Sequence, residues 1–135
     1  MRTGLKWLVV FLASVWTNFA AVADPIDIGS RRELFVDQAL SGGELTTKPL
    51  KFTGRRLSLN YATSAAGNMR VELQDSAGQP ISGFSLADAD ELFGDTIDQK
   101  AAWKNSTDVS RLAGQEVRLH FVLRDGDLFS FQFTD

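Results

Sequence analysis

Residues 116–123, which read Glu-Val-Arg-Leu-His-Phe-Val-Leu, carry the pattern that decides the fold. Apolar side chains occupy every second position, and Arg118 and His120 stand between them. Successive side chains of a β-strand point to opposite faces of a sheet, so a period of two predicts a strand with one buried face. The protein is therefore expected to be built on a β-sheet with a core on one side.

The pattern resumes directly after this strand. Residues 125–126 are Asp-Gly, which is a hairpin turn signal, and an alternating segment follows. This segment predicts a final strand whose one face carries three large aromatic rings into the core, those of Phe129, Phe131 and Phe133.

Upstream, two further alternating segments flank a stretch of small residues. Residues 57–61 and 70–74 both alternate apolar with polar side chains, and residues 64–68 between them read Ser-Ala-Ala-Gly-Asn. This arrangement predicts a second β-hairpin, with a short strand at Leu50 and Phe52 just before it.

The middle of the chain carries weaker signals. Gly78 and Pro80 predict a strong turn at residues 75–80. The remaining predictions are a strand at residues 81–86, a helical turn at 88–93, a strand at 96–103 and a loop at 108–114. Several short strands without a long amphipathic helix predict an all-β fold, namely an antiparallel β-sandwich of jelly-roll type formed by residues 45–135.

The first 23 residues have the three parts of a signal peptide. Arg2 and Lys6 form a basic region, residues 7–15 are almost entirely apolar, and residues 21–23 read Ala-Val-Ala. We predict a signal-peptide helix cleaved after Ala23, and hence a secreted or periplasmic protein. A retained membrane anchor is the alternative, although the apolar run is short for a spanning helix and polar residues interrupt it. Residues 24–44, which end in a Ser-Gly-Gly stretch, are predicted to be an arm and linker.

Charge and cysteine content exclude several classes of function. Without Arg2 and Lys6 the chain has 12 basic residues against 17 acidic ones, a net charge of −5. We therefore expect no nucleic-acid partner and, once the signal is cleaved, no association with a membrane. The chain has no cysteine, so thiol catalysis and cysteine metal sites are excluded and the core must hold the domain without disulfides. The oligomeric state is left open.

Two segments carry a family resemblance. Residues 28–37 read Ile-Gly-Ser-Arg-Arg-Glu-Leu-Phe-Val-Asp, and residues 57–67 read Leu-Ser-Leu-Asn-Tyr-Ala-Thr-Ser-Ala-Ala-Gly. Further blocks follow in order at residues 83–86, 92–95, 103–104 and 118–123. The first segment resembles the start, and the later blocks resemble the C-terminal β-sandwich, of large secreted glycoside-hydrolase-like proteins common among planctomycete-type bacteria.

The catalytic part of that family looks like the five-bladed propeller of invertase-related enzymes, and it would lie between the two segments. Here only residues 38–44 separate them. The resemblance therefore implies a truncated chain that has kept two ends and lost the middle, by an internal deletion or a faulty gene model. No catalytic residue can be carried over, and we predict none.

Aromatic side chains are the candidates for binding a sugar. Tyr61 and Trp103 are the only tyrosine and tryptophan beyond residue 23, and rings of this kind give sugars an apolar face on which to stack. Trp103 precedes a polar loop that contains Asn105, so we expect it to be partly exposed. Tyr61 lies in phase with Leu57 and Leu59, which favours a place in the core.

An acidic segment is the candidate for a metal site. Asp88, Asp90 and Asp95 supply the oxygen ligands that Ca²⁺ prefers, although their spacing does not match an EF-hand. The alternative, which we favour, is a solvated acidic turn that needs no cofactor.

These observations lead to one function hypothesis and two rivals. We expect a non-catalytic secreted accessory module derived from a glycosidase-like protein, with weak binding to a polysaccharide. The first rival is a purely structural remnant without activity, whose sandwich would leave an apolar face uncovered. The second, less favoured, is a glycoside hydrolase, which would need two carboxylates about 5 to 10 Å apart.

Overall fold

The computed structural model describes residues 26–29 and 34–135, so the predicted signal peptide lies outside the described residues. This part of the chain forms six strands and one short 3-10 turn at Ser110–Leu112. The strands are β1 (Ile26–Gly29), β2 (Leu34–Thr46), β3 (Leu50–Phe52), β4 (Arg56–Gln74), β5 (Asp95–Lys100) and β6 (Arg118–Thr134). Within these residues, no helix has the length and apolar character needed to cross a membrane.

Four of the strands form one antiparallel sheet in the order β2-β6-β4-β5, while β1 and β3 pair in parallel. The prediction of a mostly β chain with an antiparallel sheet is confirmed. β4 and β6 form the centre of the sheet and pair along almost their whole length, from Arg56 opposite Thr134 to Gln74 opposite Arg118.

The two hairpins predicted from the sequence are wrong. β4 runs through the turn-forming residues 64–68 and β6 runs through Asp125 and Gly126, and the two strands pair with each other instead. The two turn-forming segments lie opposite each other. Thr63 pairs with Gly126 and Asn68 pairs with Arg124, so the register of the two strands shifts between these pairs. They therefore bend two paired strands together and do not reverse either one.

Close contact between the strands explains the glycine in this bend. A Cβ atom added at Gly67 would lie 2.7 Å from the carbonyl oxygen of Arg124 and closer still to that of Asp125. Asp125 itself has a φ of 50°, and its carboxylate accepts a hydrogen bond from the Ser64 hydroxyl. The bend thus depends on a missing side chain on one strand and on a left-handed residue on the other.

The bend folds the paired strands so that their apolar sides share one core. The Phe121 and Phe131 rings, which both belong to β6, have centroids 5.8 Å apart. Ten residues of a straight strand would span roughly 33 Å. The core includes Leu57, Leu59, Leu119, Phe121 and Phe133, as the alternating patterns predict.

The alternating pattern assigns Phe129 to the core, but the structure does not place it there. Asn60 pairs with Ser130 while Tyr61 pairs with Leu128, which leaves Phe129 as an extra, bulged residue. Leu128 is fully buried in consequence, and 38% of Phe129 is exposed. The prediction of three phenylalanines on one inner face is therefore wrong, because the bulge changes the phase of the strand.

Residues 75–117 cover the core mainly with turns. The turn at residues 75–80 is confirmed, since the Asp75 carboxylate accepts hydrogen bonds from the backbone N–H groups of Ala77 and Gln79. The predicted strand at residues 81–86 is wrong, because Ile81 and Phe84 bond individually to the backbone of Leu73. The predicted helical turn at residues 88–93 is also wrong, and the structure instead has a turn at residues 86–88.

Two other regions differ in detail from the prediction. The strand predicted at residues 96–103 is present as the shorter β5, so that Trp103 lies outside it. The Ser-Gly-Gly stretch predicted as a linker lies within β2, which pairs with β6 and shifts register between Ser41 and Gly43.

Substitution of Gly67 by alanine tests the importance of the bend. The added methyl group would force the two central strands apart, so we expect Gly67→Ala to lower the free energy of unfolding by about 2 to 3 kcal/mol. Urea denaturation followed by circular dichroism measures this loss.

Gly94→Ala is the matched control. Gly94 has a positive φ of 102°, but an added Cβ atom would meet nothing within 4 Å. We expect a loss of about 1 kcal/mol there, from backbone strain alone. A Gly67→Ala variant as stable as the wild type would contradict the close packing at the bend.

Candidate functional site

A cleft of about 300 Å³ lies in the turn region that covers the sheet. We call it the Trp103 cleft, and its lining residues are Gly83, Phe84, Trp103, Ser106, Asp108 and Arg111. They come from two segments about 20 residues apart, residues 83–84 and 103–111, and only the packing of these segments on β4 brings them together. Of the residues singled out from the sequence as ligand-binding, Trp103 alone lines the cleft.

The floor of the cleft is a fixed aromatic pair. The Trp103 indole N–H donates a hydrogen bond of 3.0 Å to the carbonyl oxygen of Val71 on β4. Phe84 meets the Trp103 ring edge-on, with centroids 5.2 Å apart and an interplanar angle of 78°. Trp103 is only 2% exposed in consequence. The prediction that it is partly exposed is wrong, because the indole finds a partner inside the fold.

Arg111 forms one side of the rim. Its guanidinium lies over the Phe84 ring, 4.5 Å from the centroid, and donates a hydrogen bond to the carbonyl oxygen of Ser82. Gly83 makes room for this arrangement, since a Cβ atom there would lie 3.0 Å from Nη2 of Arg111. The guanidinium is thus held between an aromatic face and a backbone carbonyl.

Asp108 supplies a carboxylate to the same cleft. Its Oδ1 accepts a hydrogen bond of 2.9 Å from the backbone N–H of Ser110, and its Oδ2 lies 4.0 Å from Nη2 of Arg55. The hydrogen bonds from Ser110, with the nearby charges of Arg55 and Arg56, hold the pKa of Asp108 below its usual value. The group is therefore a carboxylate at neutral pH.

The other two predicted sugar contacts lie outside the cleft. Tyr61 is 1% exposed, and its hydroxyl donates to the carbonyl oxygen of Phe93 at 3.3 Å. Burial raises the pKa of this hydroxyl. Asn105 is exposed in the tight turn between Trp103 and Ser106, where its φ is 64° and its backbone N–H donates to Asp90.

The predicted calcium ligands are not brought together. Asp88 forms an ion pair of 2.8 Å with Lys104, Asp90 accepts the backbone N–H of Asn105, and Asp95 is exposed at the start of β5. Among the described residues, no three His, Cys, Asp or Glu side chains are grouped so as to hold a metal ion. The three candidate ligands therefore stay separate, because different neighbours orient Asp88 and Asp90 and because Asp95 is exposed at the start of β5.

A buried polar network was missed by the sequence analysis. Glu72 is 5% exposed and lies directly opposite His120, whose Nδ1 is 2.9 Å from Glu72 Oε1. The same carboxylate accepts hydrogen bonds from the Gln74 amide and the Leu86 backbone N–H, and Nε2 of His120 lies 3.2 Å from Glu44. The sequence shows that Glu72 and His120 lie on the polar faces of their strands, but it does not show that the register places them opposite each other.

The network sets the ionisation of Glu72. Burial alone would raise the pKa of this carboxyl, but the hydrogen bonds from His120, Gln74 and Leu86, with the charge of His120, lower it overall. The folded state therefore favours the ionised carboxylate relative to the unfolded chain.

Comparison with protein-family models, with curated proteins and with solved structures gives no match for this chain. The resemblance to glycoside-hydrolase-like proteins thus stays a prediction.

The pH dependence of stability tests the Glu72 network. A carboxyl whose pKa is lowered on folding stabilises the protein above its unfolded pKa of about 4.5, and this stabilisation is lost as the pH falls below that value. We expect the free energy of unfolding to fall more steeply with acidification in the wild type than in Glu72→Gln, measured by denaturation between about pH 7 and about pH 3.

Glu116→Gln, at an exposed position, is the control for this comparison. It should keep the pH dependence of the wild type. If Glu72→Gln shows the wild-type slope as well, the network does not act on stability through Glu72.

Proposed function

We propose that this protein is a secreted, non-catalytic accessory module that binds carbohydrate weakly through the Trp103 cleft. The observation that carries the proposal is the meeting of an aromatic floor, Phe84 and Trp103, with polar side chains of both charges, Asp108 and Arg111. Sugars present apolar C–H faces together with hydroxyl groups, so a site for them needs an aromatic surface beside donors and acceptors.

The size and burial of the site favour a small ligand and low affinity. A volume of about 300 Å³ is at the lower end of ligand pockets, which favours a short stretch of a glycan. Phe84 and Trp103 are 5% and 2% exposed, so they offer the ligand only a small part of their aromatic surface. Weak binding follows from this limited contact.

The absence of a carboxylate pair supports a role without catalysis. Asp108 is the one carboxylate among the residues that line the cleft. Glycoside hydrolysis in most families needs two, one on each side of the scissile bond. A binding role therefore agrees better with the cleft than turnover does.

The proposal includes the finer architecture. We propose that the two halves of the bent β4–β6 pair face each other as the layers of a jelly-roll sandwich. The contact of Phe121 with Phe131 across the bend supports this arrangement, as does the stacking of Phe52 on Phe133 at 3.8 Å.

A structural remnant is the second candidate, and one observation favours it. Phe93 is 66% exposed and Ile97 is 79% exposed, and both lie at or just before β5 at the edge of the sheet. Large apolar side chains uncovered at a sheet edge are typical of a surface that another domain covers. In this alternative the module supports a larger relative and has no ligand of its own.

Fluorescence of Trp103 provides the test of sugar binding. The chain has three tryptophans, and in the full chain carrying Trp7→Phe and Trp16→Phe the only indole emission comes from the cleft. We expect members of a panel of soluble oligosaccharides to change this emission in a saturable way, with dissociation constants of about 0.1 to 1 mM.

Ile97→Ser serves as the control, because it changes the exposed apolar edge and leaves the cleft intact. It should bind as the parent does. A panel that leaves the emission of Trp103 unchanged throughout would remove the binding role and leave the structural remnant.

A further inference from the structure

We infer that the Trp103 cleft selects anionic sugars, and that the guanidinium of Arg111 receives their carboxylate or sulfate group. The inference rests on the proposed function, which it deepens by naming the class of glycan. It follows from how Arg111 is held and from how the charge of Asp108 is compensated.

The guanidinium is pre-oriented for a planar or tetrahedral oxyanion. An arginine carries five N–H donors, and one hydrogen bond from Nη2 of Arg111, to Ser82, is observed. The Phe84 ring supports the guanidinium plane from one side. Because the N–H donors of the guanidinium are already held in one orientation, the side chain loses little entropy when an oxyanion binds. The charge-assisted hydrogen bonds that it then forms are stronger than those between neutral groups.

The positive charge of Arg111 is not compensated within the part of the structure whose side chains are described. No carboxylate there lies within ion-pair distance of Arg111, whereas Arg70, for example, forms a pair of 2.6 Å with Glu91. Arg111 is also exposed, so a ligand in the cleft can reach it.

Asp108 does not cancel this preference. Its carboxylate already faces Arg55 and the backbone N–H of Ser110, and the nearby charge of Arg56 also acts on it. The free lone pairs of Asp108 are suited to accept sugar hydroxyl groups. The cleft thus combines a hydroxyl acceptor with an oxyanion receptor, although the chain as a whole has a net charge of −3.

The expected selectivity is modest. An exposed ion pair changes affinity by up to about five-fold, and salt screens it. We therefore expect an anionic oligosaccharide to bind about five-fold more tightly than its neutral counterpart at low ionic strength, and this ratio to approach one in about 1 M salt.

The test compares three probes on the full chain with Trp103 as the only tryptophan. They are trigalacturonic acid, its fully methyl-esterified form, and a sulfated galactose trisaccharide. The inference predicts that the acid or the sulfated probe binds more tightly than the neutral ester. The probe that shows the preference identifies the anion as carboxylate, as sulfate or as either.

Arg111→Gln should bring the anionic probes to the affinity of the neutral ester. Arg124→Gln removes another exposed arginine, at the bend between the central strands, and it should leave the preference intact. Because Arg111 packs on Phe84, its replacement is checked by the unfolding midpoint. Arg111→Lys, which keeps the stem and the charge but lacks the fork, is the second variant and should show a smaller preference than the wild type.

The outcomes separate this inference from the proposed function. Equal affinity of the wild type for anionic and neutral probes overturns the inference and leaves sugar binding in place. A preference that survives in Arg111→Gln, or that Arg124→Gln abolishes as well, also overturns it, since overall charge then explains the effect. Failure of all three probes, and of every neutral oligosaccharide, removes the proposed function itself.

Discussion

The structure depends on the close crossing of two backbones at Gly67 and Asp125. β4 and β6 are the two longest strands of the sheet. If this pair were straight, one of its apolar faces would be open to water. Because the strands bend together at this point, Phe121 reaches Phe131 and both halves of the ribbon contribute to one core. A side chain at Gly67 has no room, so the bend is a steric requirement placed on a single residue.

The cleft follows from the same arrangement. The half of β4 beyond the bend presents the carbonyl oxygen of Val71, which receives the Trp103 indole. Trp103 in turn orients Phe84, and Phe84 supports Arg111. A chain of packed contacts therefore leads from the central sheet to the one guanidinium that we place at the ligand. In the site that we propose, the aromatic residues act mainly as a rigid support, and we assign the selectivity to the charged rim.

The two polar networks of the protein differ in purpose. Glu72 and His120 lie between strands and are largely shielded from solvent, so their hydrogen bonds fasten β4, β6 and, through Glu44, the edge strand β2. Arg111 and Asp108 are exposed and line the cleft, and their hydrogen bonds to the backbone fix their positions. Burial thus favours a structural role for the first network, and exposure favours binding by the second.

Local patterns predicted the strands but not how they pair. The alternation in residues 57–61 and 117–123 indicated a buried face correctly, and the turn at residues 75–80 was found, because each depends on neighbours in sequence. The Asp-Gly signal at residues 125–126 misled because a turn former can bend a paired strand as well as reverse it. Phe129 was assigned to the core because a bulge leaves no trace in the alternation.

The sequence by itself thus determined the class of fold, an antiparallel β protein without a disulfide, since side-chain periodicity and composition are local properties. Only the tertiary structure decided where the chain bends, that Trp103 is covered, and that Arg111 lies over Phe84. These features come from contacts between residues about 20 or more positions apart, or from the register of two long strands. Such contacts are set by the packing of the whole core, and no short stretch of sequence contains them.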